Sequence, residues 1–408
     1  MRDAASGSRH LRRIPPGVWI IGFVSMLMDI SSEMIHSLLP IYLVTVLGTS
    51  TLMVGIIEGV AEATASITKV FSGALSDWLG KRKLLATIGY GLAACTKPVF
   101  PLASTVGWLI AARFVDRVGK GIRGAPRDAL VADLSPAELR GASFGLRQSL
   151  DTTGAFLGPA IAIVLMWATA NDFRAVFWFA VVPAFLAFGL IAFAVHDPAP
   201  RADTVSVSRS PLRREALGTL GRAYWWIVGV GAVFTLARFS EAFLILKAQA
   251  AGLPIYLAPL VLVLMNIAYA LTSYPAGALS DRMERGTLLI VGFAVLVVAD
   301  LVLGFAVGLI GVTLGVILWG VHMGLTQGLL AALIADVAPA ELRGTAYGVF
   351  NLVAGAALLA ASVMAGALWD LAGARLTFLA GAALTSVALV VLIATRHRFG
   401  LSETIRPN

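Results

Sequence analysis

Asp29, Glu33 and His36 fall at i, i+4 and i+7 of one apolar stretch, a spacing that sets all three along one face of a helix. Glu58 and Glu62 repeat the i, i+4 interval, and Arg113, Asp116, Arg117 and Lys120 follow i, i+3, i+4 and i+7. Two carboxylates one turn apart in poorly hydrated surroundings do not both ionise easily. A proton can be shared at Asp29 and Glu33 and released when water enters or a cation such as Arg113 or Arg117 approaches. The same oxygen and nitrogen donors suit a divalent metal ion, and the basic face of Arg113, Arg117 and Lys120 suits an anion. Arg147 and Asp151, at i and i+4, are spaced either to neutralise each other or to leave Asp151 available for proton exchange. Arg238, Glu241 and His322 occur at comparable depth later in the chain. His322 reads equally as a packing histidine.

These charges sit in a chain that water cannot solvate. Its 408 residues are 58% hydrophobic and 13% charged, with a mean hydropathy of +0.86, whereas a soluble domain carries about 25% charged residues. An ionisable side chain at the centre of a spanning helix costs about 2.5–3.5 kcal/mol, so such groups face a cavity or a partner. A span needs roughly 20 apolar residues. Hydropathy, punctuated by Gly, Pro and charge, predicts twelve spans, at about 18–46, 52–76, 84–104, 106–128, 142–168, 173–195, 223–249, 255–279, 287–307, 309–336, 344–369 and 376–395. The fold class is therefore all-α membrane protein, with six-helix bundles at 1–195 and 223–408 and a Pro, Ser and Arg-rich cytoplasmic linker at 196–222. The basic start (Arg9, Arg12, Arg13) precedes a run too long and too charged for a cleaved leader, and is read as preceding the first retained helix.

Of the 31 Lys and Arg, twenty lie on the side of the N-terminus, the Lys81-Arg82-Lys83 loop, the linker and the C-terminal tail. Only Arg174, Lys247 and Arg375 lie near the other side. The positive-inside rule then puts both termini in the cytoplasm of a cell whose inner membrane holds the chain. Basic residues spread over loops in this way do not make a nucleic-acid surface, despite a pI near 9.9.

Two motifs recur half a chain apart. Gly73-Ala-Leu-Ser-Asp77 returns as Gly277-Ala-Leu-Ser-Asp281, and Asp133-Leu-Ser-Pro-Ala-Glu-Leu-Arg-Gly141 as Asp336-Val-Ala-Pro-Ala-Glu-Leu-Arg-Gly344. Both copies fall in loops on one side, which requires two pseudo-symmetric halves of the same membrane orientation.

Gly73-x-x-x-Asp77-x-x-Gly80-Lys81-Arg82 resembles the signature between helices two and three of the major facilitator superfamily, with Trp78 in place of a basic residue. Gly154-x-x-x-Gly158-Pro159 resembles that family's helix-five antiporter motif without its trailing glycines. Asp29-Ile-Ser-Ser-Glu33-Met is similar to a bacterial and archaeal branch of efflux-like members. The resemblance covers nearly the whole chain and implies a monomeric secondary transporter working by alternating access in a lipid bilayer. It implies gating by Asp77, Lys81, Arg82 and Asp281, and a central cavity lined by helices one, four, seven and ten.

The leading expectation is proton-coupled export of a small amphipathic organic compound. Asp29, Glu33, Glu62 and Asp151 would carry the proton, and His36, Arg113, Asp116, Arg117, Arg238, Glu241 and His322 would line the cavity. Transport of a metal ion or small organic anion is the alternative, and a receptor or scaffold the alternative of another class. The single cysteine, Cys95, leaves no disulfide and no cysteine cluster. No cofactor or resident metal is expected, since neither GxxxxGK[ST] nor HExxH occurs. Gly141-Ala-Ser143-Phe-Gly145 fits the hydrolase nucleophile pattern, but it opens an apolar helix rather than a strand-to-helix turn.

Overall fold

The computed structural model describes residues 14–79, 81–136, 139–195, 220–280, 284–338 and 342–395, which are nearly all helical and contain no strand. Helix α1, Pro16–His36, starts on a proline at its first turn, where the missing N–H costs nothing. It continues through Leu39–Ile41 into a π-helical turn at Tyr42–Val46. Then follow α2, Thr51–Leu79, and α3, Arg82–Thr96, with a short turn at Val99–Leu102 beyond Pro98. Next come α4, Val106–Leu134, and α5, Arg140–Ala168. Helix α6, Phe173–Gly189, is capped by Asp172, whose carboxylate accepts from the N–H of Arg174 and Ala175 at 2.9 and 3.2 Å.

The seventh expected span is broken, into α7, Arg222–Ala237, and α8, Ala242–Ala250. Beyond it lie α9, Leu260–Ser280, α10, Arg285–Phe305, and α11, Leu309–Val337. The eleventh and twelfth expected spans both fall in α12, Arg343–Thr395, which is interrupted at Gly373 with φ 78° and ψ 174°. A side chain would strain that backbone; glycine does not.

Among the described residues nine helical stretches are long and apolar enough to cross a bilayer, the last of them being Ala346–Ala394. The expected spans at 84–104 and 106–128 are not among the nine. Helix α3 has only 15 residues before its chain bends at Lys97–Pro98, and α4 carries the charged face described below.

Two compact units divide the chain. One holds Met1–Leu39 and Thr64–Ser210; the other holds Pro40–Ala63 and Pro211–Asn408. Helix α2 thus contributes its first half to the second unit. The reason is glycine packing: a Cβ on Gly55 would lie 2.1 Å from the Ser362 carbonyl oxygen, and one on Gly59 would lie 3.0 Å from Leu359 Cα. Where no hydrophobic force drives helices together, such small residues let their backbones approach.

In the first unit, α1 packs on α5 and α6, and α3 on α4. Its core joins Val18, Ile21, Val24 and Met28 to Tyr90, Ala93, Leu130 and Ala187. Gly89 and Gly119 bring α3 and α4 so close that a Cβ on either would stand 2.7 Å from backbone of the other helix. In the second unit, α11 packs between α9 and α10, and α12 against α7 and α10.

Candidate functional site

Of the charged faces read from the sequence, those of α1, α4 and α5 gather in the first unit, while Glu58 and Glu62 belong to the second. Gly154 and Gly158 of α5 lie directly on the acid face of α1. A Cβ on Gly154 would stand 2.5 Å from Met26 O and 3.0 Å from Asp29 Cβ; one on Gly158 would stand 2.8 Å from both Glu33 Cβ and Ile30 O. Pro159 follows within α5. The small-residue motif therefore has a concrete partner, the two turns of α1 that carry Asp29 and Glu33.

This contact decides the acid pairing. The sequence spacing led us to expect a proton shared by Asp29 and Glu33. Instead Asp29 meets Asp151 of α5 within hydrogen-bonding reach, with Lys120 and Arg123 nearby. Glu33 turns to its own helix, where Oε2 lies 3.3 Å from His36 Nδ1, with Lys120 and Arg117 in its surroundings. One turn along a helix fixes the face but not the direction of a side chain, and close packing against α5 supplies a nearer carboxylate.

Asp151 is also the junction of the arginines. Arg127 Nη1 lies 3.6 Å from its Oδ1, and Arg147 Nη1 lies 3.5 Å from its Oδ2. The i, i+4 pair of Arg147 and Asp151 thus forms, yet Asp151 is shared with another helix. Arg127 also donates to Asp128 Oδ1 at 3.1 Å and Ser25 Oγ at 3.2 Å. Ser25 in turn lies 3.3 Å from the Tyr90 hydroxyl, and the Arg123 guanidinium sits 4.9 Å from the centroid of the Tyr90 ring.

Deeper in α4, Asp116, Arg113 and Arg117 are all buried, while Lys120 is exposed. Lys97 Nζ donates to Asp116 Oδ1 at 2.9 Å and to Ser32 Oγ at 3.1 Å, and Arg117 Nε lies 3.8 Å from Asp116 Oδ2. Asp116 is therefore held between two cations. Sequence reasoning gives Lys97 no role; its one signal is a lone lysine before a proline in an otherwise apolar run. It also missed Arg127, which continues the row of Lys120 and Arg123 along α4, and Tyr90, which carries no charge to mark it.

The remaining expected residues lie in the second unit. Arg238, in the break between α7 and α8, has Glu241, Tyr269 and Glu62 around it. Tyr269 lies at 3.5 Å from Gln327 Oε1. His322 is fully buried against aromatic rings, 5.5 Å from Trp319 and 5.9 Å from Phe234 between centroids. That environment is the packing alternative stated for it.

Of the gating residues, Arg82 forms an ion pair with Asp133. Arg82 ends the signature that begins at Gly73 and Asp133 opens the second repeated motif, so the signature and that motif meet at the end of α4. Lys81 precedes α3 and is exposed. Asp77 lies near the end of α2, but its side chain lies outside the description, and Asp281 lies outside the described residues altogether.

Residues 21–362 match the family model described as Major Facilitator Superfamily. The chain is 32% identical over 390 residues to an uncharacterised MFS-type transporter of Methanocaldococcus jannaschii, covering 94% of this chain and 95% of that one. It is 26% identical over 181 residues to the quinolone resistance protein NorA of Staphylococcus aureus, 44% of this chain and 45% of NorA. Among solved structures, the nucleoside transporter NupG has the same fold, with a TM-score of 0.79 at 11% identity over 93% of this chain and 99% of that one. With a family model spanning most of its length, a relative similar from end to end, and a helical architecture shared with solved transporters, the chain belongs to the Major Facilitator Superfamily: it is a multi-pass membrane transporter, not an enzyme.

Proposed function

We propose that this transporter couples proton movement to the export of a small amphipathic organic compound across the inner membrane, with both termini in the cytoplasm. One observation carries the reading: Asp29 meets Asp151 where α5 is pressed by Gly154 and Gly158 onto α1, with Arg127 and Arg147 each paired to an oxygen of Asp151. Two carboxyl groups in contact favour holding one proton between them, and two arginines favour releasing it. Any movement of α5 relative to α1 changes that balance. A site whose proton affinity differs between two conformations couples the proton gradient to the conformational change.

Glu33 with His36 forms a second exchangeable station one turn along, within reach of Lys120 and Arg117. The apolar and aromatic content of the second unit, with Arg238, Glu241 and Tyr269 as its polar group, suits an amphipathic cargo. Similarity to a quinolone resistance protein supports a drug-like compound as cargo and outward movement as its direction. Reconstituted protein should move such a compound when a pH gradient is imposed. Flux that is indifferent to the gradient, for every compound that stabilises the purified protein thermally, removes the proposal.

A further inference from the structure

Asp300 of α10 is a fully buried acid of the second unit that the coupling reading leaves unused. Its side chain is completely buried, at 0% exposure, and neither carboxyl oxygen has a hydrogen-bond partner among the described residues. Its surroundings are specific. A Cβ on Gly381 of α12 would stand 2.7 Å from Asp300 Oδ2, 3.2 Å from Phe239 Cε1 and 3.3 Å from the Ala237 carbonyl oxygen.

Ala237 is the last residue of α7, directly before the break at 238–241. A broken helix leaves carbonyl groups without intrahelical donors inside the membrane. The acid and an open helix end therefore approach the same point, which glycine leaves vacant for them.

The charged and titratable groups on the elements packed there begin with Lys247 of α8, whose Nζ donates to the Ala306 carbonyl oxygen just beyond α10, and Asp370 of α12, which is held by Thr51 and Leu52. The helix break supplies Arg238 and Glu241, which lie near each other. Helix α12 supplies Arg375, whose guanidinium lies 4.8 Å from the centroid of the Phe305 ring at the end of α10. Helix α11 supplies His322. Gly292 meets Thr326 and Gly315 meets Leu303, an antiparallel register that sets Asp300 level with Leu318 and one turn from His322. Both ring nitrogens of His322 are without hydrogen-bond partners among the described residues, and Trp319 packs on both His322 and Phe239. No ion pair within the described residues reaches Asp300.

An ionised carboxylate closed off in this way would be a buried charge with nothing to balance it, which proteins avoid by binding a cation or by keeping the acid protonated. Helix α12 closes directly over the acid at Gly381, where even a Cβ would stand only 2.7 Å from Asp300 Oδ2. We propose that Asp300 is a second proton-binding site of this transporter, closed by Gly381 and the break in α7. As a neutral acid it can donate to the Ala237 carbonyl when the gap narrows. When the break and α12 separate, it gives its proton to water and becomes a carboxylate. The site is independent of Asp29 and Asp151, lies in the other unit, and can be read without knowing the cargo.

Infrared difference spectra of the purified full-length protein, taken in H2O and D2O over a pH series, test this directly. The wild type should show a protonated carboxyl C=O band that moves in D2O, fades as pH rises, and is missing in Asp300→Asn. Should Asp300→Asn fail to fold, Gly381→Ala provides the second reading, because its methyl group presses on Oδ2 and should displace the same band. The proposal is overturned if Asp300→Asn keeps every carboxyl band of the wild type, if the band ignores both D2O and pH, or if Gly381→Ala leaves it in place. Loss of the band on adding sodium at constant pH would reassign the site to sodium and overturn the proton reading as well.

Discussion

The carboxylate of Asp370 caps the N-terminus of α2, accepting from Thr51 N–H at 3.0 Å and from the Thr51 hydroxyl through Oδ1, and from Leu52 N–H at 2.9 Å through Oδ2. An anion at this position satisfies open backbone donors and complements the helix dipole. Gly366, one turn earlier in α12, lets the two backbones touch, since a Cβ there would stand 2.5 Å from Thr51 O. Residues more than 300 positions apart in sequence thus form one clasp between α2 and α12.

Asp370→Ala should loosen it at a cost of about 0.5–2 kcal/mol, the usual worth of an N-cap. Asp370→Asn, which still accepts hydrogen bonds, should lie between the variant and the wild type. Apparent melting temperatures in detergent should fall in the order wild type, Asn, Ala. Equal melting of all three would remove the capping contribution.

The glycines of α5 should not tolerate side chains. Gly158→Ala places a methyl group 2.8 Å from both Ile30 O and Glu33 Cβ, and overpacking of this kind costs about 1–3 kcal/mol. Because the displaced turn carries Glu33, flux should fall by more than stability alone explains. The comparison is transport per folded molecule, measured against Gly145→Ala, where a Cβ meets nothing within 4 Å. Equal flux in both variants would show that the α1 to α5 contact has no role in transport.

Lys97 and Asp116 form a buried pair, and removing one partner should be worse than removing both. Asp116→Asn leaves Lys97 buried with reduced compensation and should destabilise by about 3–5 kcal/mol. Lys97→Met combined with Asp116→Leu should recover most of that loss. If the double variant is stable and still couples flux to the pH gradient, the pair is structural; if it is stable and uncoupled, Asp116 belongs to the proton path.

Coupling itself should reside at Asp29 and Glu33. Asp29→Asn removes one acid from its contact with Asp151, and Glu33→Gln removes the partner of His36. Each should abolish gradient-driven accumulation while counterflow of the bound compound persists, and the pH dependence of uptake should flatten. Full accumulation in both variants would move the coupling site to Asp151, Glu62 or Asp300.

Composition settled the solvent of this protein, because so apolar a chain cannot be covered by water, and helical spacing settled which charges share a face. The half-chain repeat is the sequence's argument for two like halves of one orientation. None of this could say which acid meets which base. The i, i+4 interval of Asp29 and Glu33 is compatible with a shared proton, with a metal and with the arrangement found, in which each turns to a different partner.

What decided was the rotation of α1 against α5, set by backbones meeting at Gly154 and Gly158, and the short reach of Lys97 from a bent α3 to Asp116 on α4. Asp370 carried no local signal at all, since its partners lie at the other end of the chain. Spacing is a property of one helix, whereas pairing depends on the axial register and rotation of two, and these are fixed only when the helices pack.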